Sequence, residues 1–215
     1  MRIKIPVKLR DEPNAVRMVE RYFAVDPRTG RVRDSAAYFE RLGGGGDRPE
    51  TAHQITAEDL LAVNMLGTPV DGYYALQILV YQAGDISALL AQIPPDVKLT
   101  DDGAADLIAE GGPAWQLGEL LRAIKRPANG RLGRVPASKL LARKRPHLIP
   151  VYDSHVKGTI GRRPNDQTYW TDLRRLLTTD DALVRELETI RTRAEVDHLS
   201  LLRTLDVLFW MYYSA

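Results

Sequence analysis

The chain has 215 residues, 44% hydrophobic and 27% charged, with no cysteine. This excludes a disordered tail, a collagen-like fibre, a disulfide scaffold, a zinc–thiolate site and a cysteine nucleophile. The net charge of +2 hides an imbalance: from Arg122 to Arg163 twelve basic residues meet one acid, Asp153, a net +11, while the remainder carries −9.

Ile3, Ile5, Val7 and Leu9 alternate with Lys4, Pro6 and Lys8, which is strand period, and Pro6 restricts such a strand to a sheet edge. A pairing partner is expected around Phe23 to Asp34, where Asp26-Pro27-Arg28-Thr29-Gly30 supplies turn chemistry, with a short helix over Pro13 to Tyr22 between the two. Gly43 to Gly46 is either a mobile loop or a place where backbone approaches something closely. Thr56-Ala57-Glu58-Asp59 resembles a capping box and opens a helix through Leu60, Val63 and Leu66. Helices are also expected through Tyr73 to Val80, over Ile86 to Ile93, and along the face Leu117, Leu120, Leu121 and Ile124. Further on, Leu173 to Leu177, Leu183 to Ile190 and Val196 to Tyr213 read as helices, the last apolar nearly all round and therefore central. The fold class is mostly α with a small N-terminal β element. The expected organisation is an N-terminal strand or hairpin extension over 1–50 and a helical domain over 51–215. Neither a signal peptide nor a membrane-spanning apolar run is present, so a cytoplasmic location is expected, nucleoid-associated if the protein binds DNA.

The basic segment carries the chemistry. Asn129-Gly130-Arg131-Leu132-Gly133 makes a tight turn after the helix that Ile124 closes, and Pro136 suits the first turn of a basic helix through Ala137 to Lys144. Free amides at that helix start favour a phosphate. Asp153 is suited to cap a new helix over Ser154 to Gly161, a role worth about 1 kcal/mol on its own.

This arrangement resembles the helix-hairpin-helix superfamily of DNA glycosylases. Gly133 matches the second hairpin glycine, Ala137 the alanine of the following helix, and Pro150-Val151-Tyr152-Asp153-Ser154-His155-Val156 the aspartate motif with one inserted tyrosine. The resemblance spans about 33 residues and departs at Arg131, where members carry the first hairpin glycine, and at Val135, where strand-cleaving members carry a lysine. The KLLARKRPHLIPVYDS core is also similar to that of an actinobacterial family with no assigned function. The resemblance implies a monofunctional glycosylase without lyase activity, with Asp153 as the key carboxylate. Its partner would be double-stranded DNA, held by Arg131, Gly133, Arg134, Lys139, Arg143, Lys144, Arg145 and Lys157.

Other readings stay open. A non-catalytic DNA-binding module, or an interaction adaptor keeping the fold, would use the same basic segment, and the basic helix could instead pack on acids such as Asp180, Asp181 and Glu186. His53, His147, His155 and His198 lack metal-binding spacing on any one helix, so neither a metal nor another cofactor is expected.

Overall fold

The computed structural model describes residues 3–126, 130–161 and 166–214. Among them are twelve α-helices and no strand; β-pairing is limited to two isolated bridges, Val25 with Val32 and Lys125 with Arg131. The chain divides into two units, Met1–Ala37 with Pro150–Ala215, and Tyr38–Ile149. The sequence reading divides the chain at residue 50 into an extension and a helical domain; the contacts of the structure group it otherwise. The C-terminal helices return to the N-terminal ones, so the first 37 residues are part of a core rather than an appendage.

The expected N-terminal strand is corrected. Pro6 stands just ahead of a helical turn, α1 (Val7–Arg10), which leads directly into α2 (Glu12–Tyr22). Proline has no N–H to give a ladder but fits at a helix start, so the alternation of Ile3 to Leu9 gives way at Val7 to a helical turn that buries Leu9, while Ile3 is buried ahead of it. The Asp26 turn forms as expected, with the Asp26 carboxylate accepting from the Arg28 amide at 2.7 Å and Gly30 at φ +67°, but it pairs only Val25 with Val32.

Four later helices complete this unit: α9 (Ser154–Thr159), α10 (Asp166–Thr179), α11 (Asp181–Arg193) and α12 (Leu201–Tyr213). Ser200 caps α12 by accepting from the Arg203 amide, so this helix starts later than Val196. It packs against α2, α9 and α11, burying every side chain from Leu202 to Phe209. An all-round buried helix must satisfy any charge it carries. Arg203 does so through Asp206 one turn on and through the Tyr22 hydroxyl at 2.8 Å.

The other unit contains α3 (Ala57–Met65), α4 (Gly72–Leu76), α5 (Ala83–Leu90), α6 (Ala104–Ile108), α7 (Pro113–Ala123) and α8 (Arg134–Lys144), with a π-helical segment, Gln77–Tyr81, continuing α4. The Thr56 capping box forms: the Thr56 hydroxyl accepts from the Asp59 amide at 3.3 Å and Asp59 accepts from the Thr56 amide at 3.0 Å. α7 starts at Pro113, where the missing N–H costs nothing, and buries Leu117 and Leu121. α8 lies against both α3 and α7.

The glycine run has a physical explanation. Gly43, Gly44 and Gly45 adopt φ of +60°, +83° and +100°, and at Gly46 a Cβ would come within 2.3 Å of the Arg143 carbonyl oxygen. Of the two sequence readings, close approach is the one realised: the run lets its backbone lie on α8. Gly46→Ala should therefore destabilise the protein by about 1–3 kcal/mol, because the obstructing atom is backbone and has nowhere to move. The check is the urea midpoint, with Gly84→Ala as the control. Gly84 lies within α5 with open space at its Cβ, so that change should be neutral or stabilising.

Candidate nucleic-acid interface

Two helices joined by a hairpin are present where the sequence places them. α7 ends at Ala123, and the Leu132 amide donates to the Ile124 carbonyl at 3.0 Å while the Arg126 amide donates to that of Gly130 at 2.9 Å. Between these bonds lies the Lys125–Arg131 bridge. Asn129, part of the expected turn, lies outside the described residues. Gly133 has φ +84° and immediately precedes α8, a left-handed conformation that explains glycine at this point. Leu132 is buried beneath the hairpin, whereas Lys125, Arg131 and Arg134 are exposed. Among the described residues no side chain caps α8, and its first turn holds no acid. The partial positive charge of the amide end thus adds to three exposed cations.

Four of the expected DNA-contacting residues point inward instead. Lys139, Arg143, Lys144 and Arg145 are each no more than 3% exposed, so the expectation that they grip phosphates is corrected. Lys139 donates to the Leu66 carbonyl and the Thr68 hydroxyl, both at 2.8 Å, tying α8 to the end of α3. Asp59, itself buried, accepts from Arg143 Nε at 3.0 Å through one oxygen and from Lys144 Nζ at 3.1 Å through the other. The rest of the Arg143 fork goes to the Phe39 and Leu42 carbonyls of the loop leading into the glycine run, and Lys144 also reaches the Thr51 carbonyl at 2.8 Å. Within the Tyr38–Ile149 unit the described acceptors for Arg143 and Lys144 are the Asp59 carboxylate and a set of backbone carbonyls.

Among the described residues the Arg145 fork meets carbonyls rather than a carboxylate. Its Nε donates to Ile93 O at 2.7 Å, Nη1 to Ala52 O at 2.8 Å and Lys144 O at 2.6 Å, and Nη2 to Leu90 O at 2.6 Å. Leu90 is the last residue of α5, where the negative end of a helix favours a cation. Burial pushes the Arg145 guanidinium down to about 10, opposed by the nearby Asp47 carboxylate. Burial also pushes the Lys144 ammonium below the ordinary lysine value, opposed by attraction to Asp59.

Asp153 belongs to the unit of Met1–Ala37 and Pro150–Ala215, where it precedes α9. Its Oδ1 accepts from the amides of His155 at 3.0 Å and Val156 at 3.2 Å, the capping geometry that the sequence suggested, and its side chain is 13% exposed. The imidazole of His155 lies 5.2 Å from the Tyr213 ring and 5.7 Å from Trp210, packed among aromatics on α12. Lys157 is exposed on α9, while Arg162 and Arg163 lie outside the described residues.

The structure also gathers residues that sequence spacing could not. Asp47, His53, Asp96 and His147 line one cleft of about 440 Å³ in the Tyr38–Ile149 unit, although His53 and His147 are 94 positions apart. Among the described residues no group of three or more such side chains could hold a metal ion. Tyr73 and Tyr74, on the helix expected through Tyr73 to Val80, stand at the hairpin. The Tyr74 hydroxyl is 3.0 Å from where a Gly130 Cβ would lie, and the Arg126 guanidinium sits 5.9 Å from the Tyr73 ring centre while pairing with Asp71 at 3.2 Å.

Among the described residues no helix is long and apolar enough to cross a membrane. No curated protein and no solved structure matches the chain. A family model described as "Family of unknown function (DUF6308)" matches residues 15–213, nearly the whole length, and the chain belongs to that family.

Proposed function

We propose that the protein binds duplex DNA through the hairpin between α7 and α8 and releases a damaged or modified base, with Asp153 as the essential carboxylate. The observation that carries the binding half is the turn at Gly133: it leads into an uncapped, acid-free helix start flanked by exposed Lys125, Arg131 and Arg134. Amides at such a start bind one phosphate, and the flanking cations neutralise its neighbours. The burial of Lys139, Arg143, Lys144 and Arg145 makes this a short footprint, so affinity should fall with salt less steeply than the +11 segment suggests.

The catalytic half rests on the likeness of Pro150–Val156 to the glycosylase aspartate motif. In the reaction, the N-glycosidic bond breaks with its electrons leaving on the base, water adds to the sugar carbon, and the proton that water gives up ends on the departed base. A carboxylate beside the sugar stabilises the positive charge that develops there. The amides of His155 and Val156 both donate to the Asp153 carboxylate. With Val135 in place of the lysine of strand-cleaving members, no Schiff base forms at that position. The same two amide bonds favour a second reading, in which Asp153 only caps α9 and the protein is a non-catalytic DNA-binding module.

Binding to duplex DNA carrying a cationic abasic-sugar mimic, against undamaged duplex across a salt series, separates these readings. The enzyme should prefer the mimic by roughly a hundredfold or more. Asp153→Asn, which keeps the cap, should lose base release and leave undamaged-duplex affinity unchanged. Arg131→Ala with Arg134→Ala should weaken binding to both duplexes and lower the salt slope by about 2. Equal binding to the two duplexes would reduce Asp153 to a cap, and no binding to either would sink both DNA readings and leave an adaptor.

A further inference from the structure

The helical stretch from Gly72 to Tyr81 is unusual in what it leaves in water. Among these ten described residues only Ile78 is fully buried, while Leu76, Val80 and Tyr81 are 43%, 59% and 67% exposed. A surface helix ordinarily turns such residues inward. The π-helical register of Gln77–Tyr81 contributes, because its wider turn shifts side chains off the buried face, and such turns recur at functional sites. Tyr73, Leu76 and Val80 follow the i, i+3, i+7 spacing of one helical face, and Tyr81 adjoins it.

One end of this stripe meets the hairpin. Tyr74 touches the hairpin at Gly130, and Arg126 spans Asp71 and the Tyr73 ring. Exposed Arg126 therefore borders a stripe that starts at the half-buried Tyr73 and continues into exposed Leu76, Val80 and Tyr81, with Lys125 and Arg131 exposed on the same hairpin. That combination suits a single strand, whose phosphates follow the cations while its bases, which have lost their partners, stack on tyrosine. Duplex DNA offers no base faces to such a surface, and an apolar protein partner would leave the cations unanswered. From Tyr73 to Tyr81 a helix advances about 12 Å, the rise of roughly three to four stacked nucleotides.

We infer that the preferred ligand is a junction where duplex gives way to single strand, the duplex held at the α7–α8 hairpin and the unpaired bases stacked along Tyr73 and Tyr81. This rests on the DNA-binding reading above and names its substrate class.

The test is fluorescence anisotropy with the full chain, comparing a blunt duplex with the same duplex carrying an unpaired thymidine tail of about six nucleotides. The tailed duplex should bind roughly tenfold more tightly. Tyr81→Ala should remove most of that advantage without changing blunt-duplex affinity, and Tyr81→Phe should retain it, because stacking needs the ring and not the hydroxyl. Tyr81 is well exposed, so the alanine variant should fold, which circular dichroism checks. Blunt and tailed duplexes bound equally would overturn the inference while leaving duplex binding intact. A tail preference that survives Tyr81→Ala combined with Tyr73→Ala would overturn it as well. Failure to bind either duplex would remove the DNA reading itself. If light scattering shows a dimer that Tyr81→Ala dissociates and no tail preference is seen, a second copy covers this face and the inference is wrong.

Discussion

Asp59→Asn should lower folding stability by about 3–5 kcal/mol, a large fraction of what a domain of this size has. The side chain keeps its shape and can still accept at the start of α3, so the loss measures charge. With Asp59 neutral, Arg143 and Lys144 remain on α8, 2% and 1% exposed, with carbonyls as their only described acceptors. Removing one partner of a buried ion pair strands the other charge, which accounts for the size of the effect. Urea denaturation reads it directly, with Asp71→Asn as the comparison: Asp71 pairs with Arg126, both about half exposed, and such surface pairs contribute about 1 kcal/mol or less.

The same variant should respond to pH in a defined direction. Burial already holds the Lys144 ammonium below its ordinary value of 10.5, and Asp59 is the group that raises it. Without Asp59 the folded-state value falls further, so below 10.5 the unfolded chain binds a proton that the folded chain increasingly gives up. Stability then rises with pH where the unfolded state binds more protons. The deficit of Asp59→Asn relative to wild type should accordingly shrink as pH is raised from neutrality towards 10.5. A deficit that stays constant or grows would show that Lys144 is not stranded by the change.

The second large effect is expected at Arg145. Arg145→Met keeps a long apolar stem and removes every donor, leaving the carbonyls of Ala52, Leu90, Ile93 and Lys144 without the guanidinium that now joins them. Each buried acceptor left unpaired costs about 1–3 kcal/mol, offset by relief of the cost of burying a cation, so a net loss of about 3–5 kcal/mol is expected. Arg145→Lys should recover only a small part, since an ammonium on a flexible stem cannot reach carbonyls spread around a planar fork. The outcome also bears on function. A surface phosphate contact at this position would lower the salt slope of DNA binding and leave the urea midpoint alone; a structural guanidinium does the reverse.

Much of the local architecture is legible in residue types. Thr56 with Asp59 specifies a capping box, Asp153 a cap, and the glycines before Arg134 a tight turn, because each feature is a bond or a dihedral made within a few residues. At the N-terminus the alternation of Ile3 to Leu9 suggested a strand. A strand also needs a neighbour to pair with, and period-2 spacing cannot supply one; Pro6 and the packing of α1 on α2 decided for helix.

The sequence by itself determined that the chain is mostly helical, that α7 and α8 are joined by a glycine-bearing turn, and that Asp153 caps α9. Tertiary structure alone decided the fate of the basic helix. Lys139, Arg143, Lys144 and Arg145 read as a solvated or phosphate-facing set because their acceptors are mainly backbone carbonyls, of Leu66, Phe39, Leu42, Thr51, Ala52, Leu90 and Ile93. Every residue has a carbonyl, so no residue type announces which ones the fold will aim at a cation. The same holds for the approach of Tyr74 to Gly130 and for the cleft that joins His53 to His147: these residues become neighbours only once helices pack, through distances that no local pattern encodes.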